Sequence, residues 1–487
     1  MLNRSMRGFA GSRRALAVAL TCCFSSSAMA AGTSLDATSI SGMANAYAGQ
    51  AAEGGDASVI FANPAALTRF KRAELTQGLT VTTLDTTYTS NQDNDGAPTN
   101  DGNQGSNGQV FDREDGYDSG AFIPNTYLAI PLSEKMVMGF SATGSHGLVL
   151  HYDDDFPGRN QGSDIDFKVI RLNLGVGYQM WPTLSLGING SYERYYQKVL
   201  VRLNYREAVN GQAGNDNAAD ALDVVTTVPE ETNAQLRMFG WAFNTQVGAL
   251  WEPTENTRIG VSYRPKTEFK SNNGKFTIDD TQDAQNFRAF LRDPVNNVVL
   301  GAAGVDGEQS ADDLDPDQRI QQDITLNDEF RLSIFHHATP KLDLMATYTR
   351  QDFTVTHLKY TRQRNDRTLQ EIPQNFKVGH SYRFGFNYKL YRRLTLKGGL
   401  AVENSVIDDA TRITVLPDSD RVYYNVGGAL DVSRDATVHF AYQYLDTDPA
   451  PVGQNDQITP PEVRGGDFDG TVQLDTHFFG IGLTQRF

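Results

Sequence analysis

The sequence has only two cysteines, Cys22 and Cys23, and both lie within its first thirty residues. Those thirty residues contain four arginines, then an apolar run over residues 15–24, and then the small residues Ala28 and Ala30. This order is typical of a secretory signal peptide, and the apolar run is shorter than the roughly 20 residues that a membrane anchor needs. We therefore predict a signal peptide at residues 1–30 and a mature chain without cysteines, which excludes disulfide bonds.

Cations and long apolar runs are also scarce. The chain has 43 Lys and Arg against 59 Asp and Glu, a net charge of −16, and loss of the signal peptide removes four arginines and no acid. Such an acidic chain is not a nucleic-acid binder, because binding to nucleic acid depends on basic side chains that neutralise phosphates. After the signal peptide no apolar run approaches the length of a membrane helix. This leaves a soluble protein or a β-barrel, whose strands are only half apolar.

A strict alternation of apolar and polar residues is the main pattern in the mature chain. At its end, Phe479, Ile481, Leu483 and Phe487 share one face, with glycines and polar residues between them. Successive side chains of a strand point to opposite faces, so this period of two predicts a β-strand. In a soluble sandwich the apolar face would form the core, whereas in a membrane barrel it faces lipid. The same period recurs at residues 170–178, 184–188, 342–348, 384–388, 394–402 and 438–444.

The connections between the predicted strands alternate in length. The short ones lie near residues 131–135, 180–183, 251–256, 338–341, 390–393 and 432–436. The long polar ones lie at residues 90–119, 153–164, 207–233, 276–316, 363–375, 408–418 and 446–471. Bacterial barrels have short periplasmic turns and long external loops, whereas a sandwich does not sort its loops in this way. Trp181 and Trp251 fall in short turns, where interfacial aromatic rings lie. The sequence predicts an all-β, 14-stranded antiparallel transmembrane β-barrel over residues 73–487, in the bacterial outer membrane.

Residues 31–72 do not alternate and are rich in small apolar side chains. Residues 41–50 are compatible with a short helix, and Asn63-Pro64 starts a turn or another short helix. Phe61, Leu67 and Phe70 need a buried environment, and the nearest space is the lumen of the barrel. We therefore predict that this segment is a plug, with an exposed periplasmic tail as the alternative.

Several motifs resemble those of one known family. Residues 41–49 read S-G-x-x-x-A-Y-A-G, residues 56–58 read D-A-S, and residues 63–67 read N-P-A-x-L. Together with the strands at 173–178, 239–244 and 259–264 and the P-D-x-D-R stretch at 417–421, these motifs resemble the FadL-type long-chain fatty acid transporters along the whole mature chain. Leu326-Asn327 departs from the Leu-Pro that the family would have there, and this difference concerns only the local backbone.

The resemblance implies passive transport of hydrophobic molecules. A substrate would land on an external groove, enter an apolar pocket, and leave sideways where one strand is kinked, while movement of the N-terminal hatch opens the path. The hatch candidates are Phe61, Asn63, Pro64 and Ala65. The kink candidates are Gly144, Ser145, His146 and Gly147, because two glycines three residues apart within a strand favour a bulge. The alternative for these glycines is an ordinary place in the barrel wall.

Candidates for the groove and for a carboxylate contact lie in the long loops and on the strands. Leu222 and Val225 lie in one helix-like apolar piece, and Phe287, Phe290 and Leu291 have helical spacing in another. They would form a groove or pack on each other as loop cores. A basic side chain near the pocket would bind the oxygens of a carboxylate. The candidates are Arg171, Arg194, Lys198, Arg202, Lys377, Arg383 and Arg421. Asp418 and Asp420 precede Arg421 in the matched motif. Arg421 would therefore either contact the carboxylate of the ligand or form an ion pair in the lumen that holds the hatch near Asn63.

Nothing in the sequence indicates catalysis. The eight histidines are scattered, and no Ser–His pairing or metal-ligand spacing recommends catalysis, so we expect no enzyme activity, cofactor or metal. The expected function is uptake of long-chain fatty acids or similar hydrophobic molecules. The alternatives are the same fold carrying aromatic hydrocarbons or alkanes, and a general porin, which would not need an apolar plug. Expected partners are the hydrophobic molecule, outer-membrane lipid and lipopolysaccharide, and the barrel-assembly machinery through Phe487; we expect a monomer.

Overall fold

The structure is a computed structural model. It describes residues 37–90, 110–112, 121–151, 163–204, 231–296, 311–312, 315–354, 358–362, 367–372, 376–409, 412, 416–452 and 470–487. The predicted signal peptide lies outside these residues, and so do the groove candidates Leu222 and Val225.

Strands dominate the described residues. Twenty strand segments form one sheet, and consecutive segments join into 14 barrel strands. The strands are β1 (Glu74–Ser90), β2 (Ala121–Pro131), β3 (Met136–His151), β4 (Asp164–Trp181), β5 (Leu184–Asn204), β6 (Glu231–Thr254), β7 (Thr257–Arg264 and Thr267–Ile278), β8 (Asp317–Leu326 and Asp328–Thr339), β9 (Leu342–Asp352 and Leu358–Arg362), β10 (Arg367–Ile372 and Val378–Tyr391), β11 (Leu394–Glu403), β12 (Arg421–Asp431), β13 (Ala436–Thr447 and Ala450–Val452) and β14 (Gly470–Arg486). A short strand, Val110–Asp112, pairs with the end of β1 on the side of the long loops.

The sheet closes on itself through its first and last strands. β1 pairs with β2 on one side. On the other side all 17 residues of β1 pair with β14, from Glu74 opposite Arg486 to Ser90 opposite Gly470. Closure gives the backbone groups of β1 and β14 partners within the sheet, which lipid cannot supply. The predicted 14-stranded antiparallel barrel is confirmed.

The apolar face of the strands points away from the interior. On β4, Ile170 and Leu174 are 53% and 58% exposed, while Arg171 and Asn173 between them are buried. Exposure of large apolar side chains in such numbers suits a surface in contact with hydrocarbon. The polar face of the zigzag therefore lines the inside of the ring.

The described helices are few and short. The N-terminal segment has α1 (Ile40–Met43), α2 (Val59–Ala62) and a 3₁₀ helix (Pro64–Arg69), and α3 (Gln282–Arg292) lies in the long connection after β7. The helix considered for residues 41–50 is thus a single turn. Ala46 and Tyr47 follow it with φ angles of 57° and 58°, in the left-handed region, so the right-handed helix ends.

Residues 37–72, which we call the interior segment, lie within the ring. Their backbone is mostly irregular, so many of its N–H and C=O groups have no partner in a helix or strand. Polar side chains on the inner face of the barrel wall form hydrogen bonds with these groups. Asn189 on β5 donates to the carbonyl of Ile60 (3.0 Å), and Asn425 on β12 donates to that of Met43 (2.6 Å). From the segment itself, the Gly49 N–H donates to Thr347 on β9 (2.8 Å). Because buried backbone groups must be paired, these contacts fix the segment to several sides of the wall.

Glycines on the wall let the interior segment approach closely. A Cβ on Gly187 of β5 would lie 2.2 Å from the Ala65 nitrogen, and one on Gly260 of β7 would lie 1.9 Å from the Ala51 carbonyl oxygen. Neither distance is compatible with a side chain. Other strands carry glycines against the same segment: Gly78, Gly139, Gly177, Gly248, Gly385, Gly399, Gly427 and Gly480.

The interior segment is also bound to the seam between β1 and β14. Glu74 accepts a hydrogen bond from the Ala57 N–H (2.9 Å) through one oxygen and from Arg486 (3.0 Å) through the other. One carboxylate thus connects the segment with the first and last strands.

Gly187→Leu is expected to displace the interior segment, because overpacking of this kind costs typically about 1–3 kcal/mol. Ser58→Cys provides a buried reporter when the protein is produced as residues 31–487, which contain no cysteine. In detergent micelles, the introduced thiol should react with a maleimide much faster when Gly187→Leu is also present than when it is absent. Gly190→Leu on the same strand is the control, since a Cβ there has no neighbour within 4 Å. Equal labelling rates in the two leucine variants would contradict close packing at Gly187.

Candidate functional site

The wall of the barrel opens between β2 and β3. Hydrogen-bonded pairing of these strands runs only from Pro131 opposite Val137 to Asn125 opposite Thr143. Beyond that point β2 still pairs with β1 as far as Ala121, and β3 still pairs with β4 as far as His151. The two strands therefore separate from each other on the side of the long loops while each keeps its other neighbour.

A β-bulge in β3 lies where the strands separate. Gly144 is opposite Ile170 and His146 is opposite Val169, so Ser145 is an extra residue. The Ser145 hydroxyl lies 3.1 Å from Nδ1 of His146. A bulge bends its strand and increases its twist. The structure thus places an irregularity at the predicted residues 144–147.

Pro124 lies on β2 at the start of the separated stretch. Proline has no N–H to donate, so it is tolerated in a sheet where one side of the strand lacks a partner. Its position agrees with a strand that is an edge on the side of β3.

A cavity of about 910 Å³ extends from the inside of the ring through this opening. Inside, its lining includes the apolar side chains of Ile123, Val169 and Phe478. Outside, it reaches Ile170 and Phe122, the latter 74% exposed on the outer face. The cavity therefore joins an apolar interior to the surface that faces lipid.

Arg421 lies at the cavity and is bound in an ion-pair network. Its Nη2 lies 2.5 Å from Asp418 Oδ1 and 3.5 Å from Glu403 Oε1. Asp418 also accepts hydrogen bonds from the Val406 N–H (2.9 Å) and the Ser405 hydroxyl (2.8 Å). The ion pair thus supports the turn that lines the cavity.

The other residues of the P-D-x-D-R stretch and of the hatch do not join this ion pair. Asp420 accepts a hydrogen bond from the Ser405 N–H (2.6 Å) and does not line the cavity. Asn63 lies against a different strand, β6, where it donates to the carbonyl of Ala249 (2.9 Å) as well as to that of Ala51 (2.8 Å). Arg421 therefore forms its ion pairs with Glu403 on β11 and with Asp418 in the turn before β12, and Asn63 of the interior segment is not part of this network.

Lys198 and Arg194 both lie on the outer face of β5. Lys198 lines the outer mouth of the cavity, and among the described residues no carboxylate lies within 4.0 Å of its nitrogen. The acid opposite it, Asp166, is bound by Lys168 at 3.0 Å. Arg194 lies opposite Trp241 and does not line the cavity. Of these two candidates, the structure brings only Lys198 to the cavity.

Of the loop candidates, the structure describes those on α3. Phe287 and Leu291 are buried with Ala284 on one face of the helix, and Phe290 is half-buried. None of the three groove candidates on α3 lines the cavity. Their burial agrees with the alternative in which these side chains form a loop core.

The hatch candidates contact the wall close to the bulge. The guanidinium of Arg171 lies 5.1 Å from the ring centre of Phe61. Phe61 and Arg171 line a second, polar cavity of about 30 Å³ together with Ser145 and His146. Pro64 and Ala65 pack at Gly187, away from this cavity. Phe61 is therefore the hatch candidate that approaches the opening.

A buried charge network surrounds the polar cavity, and of its members sequence reasoning named only Arg171 and Arg383. Arg171 pairs with Glu193 (3.0 Å), Arg331 with Glu329 (3.0 Å) and Arg383 with Glu403 (3.3 Å). In the sequence, the signal for these residues was a charged side chain at a position of the alternation that points inward. Buried charges are costly unless they are paired, so these residues act as pairs that line the lumen.

Two further features concern only the described part of the chain. No described helix is long and apolar enough to cross a bilayer. Among the same residues, no group of three or more His, Cys, Asp or Glu is arranged to bind a metal ion.

Known proteins resemble this chain over nearly its full length. A family profile described as outer membrane protein transport protein (OMPP1/FadL/TodX) matches residues 21–487. Outer membrane protein P1 of Haemophilus influenzae is 27% identical over 86% of this chain and 86% of its own. The long-chain fatty acid transport protein of Escherichia coli strain K12 is 24% identical over 90% of this chain and 92% of its own.

Solved structures show the same fold. A Pseudomonas aeruginosa FadL homologue has a TM-score of 0.75 at 20% identity and covers 93% of this chain and 99% of its own. The Ralstonia pickettii toluene transporter TbuX has a TM-score of 0.61 at 14% identity, with the same coverage. At such identities the likeness establishes the fold alone.

The profile match, the closed ring and the sequence motifs agree with one another. The resemblance found in the motifs is confirmed, and so is the location in the outer membrane. The chain belongs to the OMPP1/FadL/TodX family of outer-membrane transport proteins.

Proposed function

We propose that this protein takes up long-chain fatty acids or similar hydrophobic molecules by passive diffusion through the side of its barrel. The observation that carries the proposal is the apolar cavity that continues through the opening between β2 and β3 to the outer face. Transfer of an acyl chain from lipid to water costs about 0.8 kcal/mol per CH₂. A lateral opening avoids that cost, because the chain passes between apolar surfaces.

The size and lining of the cavity support a large apolar ligand. Ligand pockets usually measure about 300–1,000 Å³ and bury most of the ligand against apolar side chains with a few polar groups. At about 910 Å³ this cavity lies near the upper end of that range. Its charged groups include Lys198 at the outer mouth and Arg421, which is bound to Asp418.

Two ligand classes remain candidates within this mechanism. The E. coli relative is named a long-chain fatty acid transport protein, and the R. pickettii neighbour is described as a toluene transporter. Lys198 favours a fatty acid, because among the described residues no carboxylate lies within 4.0 Å of this cation, and the acid opposite it, Asp166, is bound by Lys168. Aromatic hydrocarbons or alkanes are the alternative, since the interior lining is apolar.

The interior segment acts as the hatch in this proposal. Its contacts with strands around the ring favour a filled lumen and argue against a general porin. Phe61 and the bulge residues Ser145 and His146 line the same polar cavity. Displacement of the interior segment would therefore change the contacts of the residues at the opening. The proposal includes no catalytic step and no cofactor.

The proposal also covers assembly of the barrel in the membrane, through the C-terminal residue Phe487. The Phe487 N–H donates to the carbonyl of Ala73 at the seam (2.9 Å), and its side chain is exposed on the outside. We propose that the assembly machinery recognises this terminal residue and that the barrel functions as a monomer.

The central test is oleate uptake by cells that lack their own outer-membrane fatty acid transporter. Expression of this chain should restore growth on oleate, because the cavity would admit the acyl chain. Labelled oleate in the same cells measures the rate directly. Rescue of toluene or alkane uptake without rescue of oleate uptake would contradict a fatty acid cargo and support aromatic hydrocarbons or alkanes instead.

Deletion of Ser145 is expected to slow uptake several-fold. Removing the extra residue leaves regular alternation from Met136 to His151, so β3 can straighten and pair with β2. Ser145→Ala keeps the bulge and should transport normally. Migration of heated and unheated samples on gels reports that each barrel is folded. Normal uptake by a folded deletion variant would contradict a route through this opening.

Lys198→Met is expected to separate the two cargo classes. Oleate uptake should fall modestly, since an exposed charge pair contributes at most about 1 kcal/mol, and uptake of toluene should not change. Arg194→Met is the matched control, because Arg194 lies on the same face of β5 outside the cavity. Competition assays with labelled oleate and toluene measure both effects. An equal loss for both cargoes would exclude carboxylate recognition by Lys198.

A further inference from the structure

A row of four cations crosses neighbouring strands on the outside of the barrel. Lys198 on β5 is directly opposite Arg237 on β6, Arg237 is opposite Lys275 on β7, and Lys275 is opposite Arg319 on β8. Strands lie about 4.8 Å apart, so the row is about 15 Å long. We call these four residues the cationic row.

The side chains of the cationic row point outward. Arg237, Lys275 and Arg319 are exposed and Lys198 is half-buried, while their neighbours along the strands, such as Val199 and Phe276, are buried inside. The row thus belongs to the face that contacts the membrane and its surface.

The position of the cationic row relative to the membrane follows from the two tryptophans of β6. Trp251 lies near the short turn and Trp241 lies ten residues along the strand, both on the outer face. Ten residues tilted by about 40° rise roughly 25 Å, which is the height of the apolar band between the two aromatic girdles of such barrels. Arg237 lies four residues further on, roughly 10 Å above the upper girdle. The cationic row is therefore at the level of the headgroups on the external side.

The protein itself supplies few anions to this row. Asp317 lies 3.3 Å from Lys275, and Asp166, which flanks Lys198, is bound by Lys168. In the described part of the chain, Arg237 and Arg319 have no carboxylate within 4.0 Å. Like charges directly opposite each other destabilise a sheet, so an external anion would stabilise this arrangement.

The positive row is a local feature of an acidic chain. The net charge is −16. At the seam between β1 and β14, the outer face instead has Asp85 directly opposite Asp475. The charge is therefore concentrated on one side of the ring, and that side includes the outer mouth of the cavity at Lys198.

We propose that the cationic row binds the phosphates of the outer-leaflet glycolipid, the lipid A part of lipopolysaccharide. Clustered basic side chains at headgroup level attract anionic lipids, and each contributes to binding near the surface. The row is long enough for more than one phosphate, which matches a headgroup with two. A glycolipid held there would lie beside the lateral opening and help to order its rim.

The test uses the full mature protein with Arg237→Gln, Lys275→Gln and Arg319→Gln combined. Lys198 is left unchanged because it also lines the cavity. The control combines Lys135→Gln, Arg392→Gln and Arg393→Gln, which removes three exposed cations from the short-turn side. The probe is purified bisphosphorylated lipid A added to the protein in detergent micelles, with binding measured by native mass spectrometry and thermophoresis.

The row variant should bind lipid A at least roughly tenfold more weakly than the parent, and the control should bind as the parent does. Dephosphorylated lipid A and phosphatidylglycerol should bind the parent weakly. Unchanged binding in the row variant, or equal binding of either comparison lipid by the parent, would overturn the proposal. If the triple variant does not fold, Arg237→Gln and Arg319→Gln are measured singly, each with a smaller expected loss. The assay does not depend on transport, so its outcome is separate from that of oleate uptake.

Discussion

The absence of hydrogen-bonding partners in hydrocarbon is the constraint on which this structure depends. It requires the first and last strands to meet, and β1 pairs with β14 over its full length. It also makes the separation of β2 and β3 informative, since a wall that lets two strands part gives up backbone pairing there. The bulge at Ser145 and the proline at position 124 lie at this separation and allow it. The opening is thus a local loss of pairing between two strands that each keep their other neighbour, and an apolar cavity lies behind it.

The same constraint shapes the inside of the ring. The interior segment has little regular structure, so its backbone groups are bound by wall side chains such as Asn189 and Asn425. Glycines such as Gly187 and Gly260 bring the wall within reach, because a side chain there would occupy the same space as the segment. Wall and segment therefore form one packed body. Any movement that opens a path must exchange these contacts, and Phe61 near Ser145 and His146 is the point where such a movement would reach the opening.

Charge is distributed between the two faces of the wall by the cost of burial. Inside, Arg171 pairs with Glu193 and Arg383 with Glu403, since buried charges need partners. Outside, Arg237 and Arg319 remain exposed, where anions from the surroundings can reach them. Lys198 lies where the outer face meets the cavity mouth, so one cation of the outer surface also borders the opening.

The sequence by itself determined the barrel, its strand number and the position of the kink, because a period of two, loop length and a glycine-flanked bulge are all local signals. It also contained the outward direction of Lys198 and Arg194, two of the candidates for a carboxylate contact, because they share the face of Ile188 and Tyr192 on β5. Only the tertiary structure decided that Arg421 pairs with Asp418 and Glu403, that Phe287 and Leu291 are buried, and that β2 separates from β3. Those outcomes depend on which distant residues closure of the ring brings together, and a local pattern carries no information about partners so far apart in the chain.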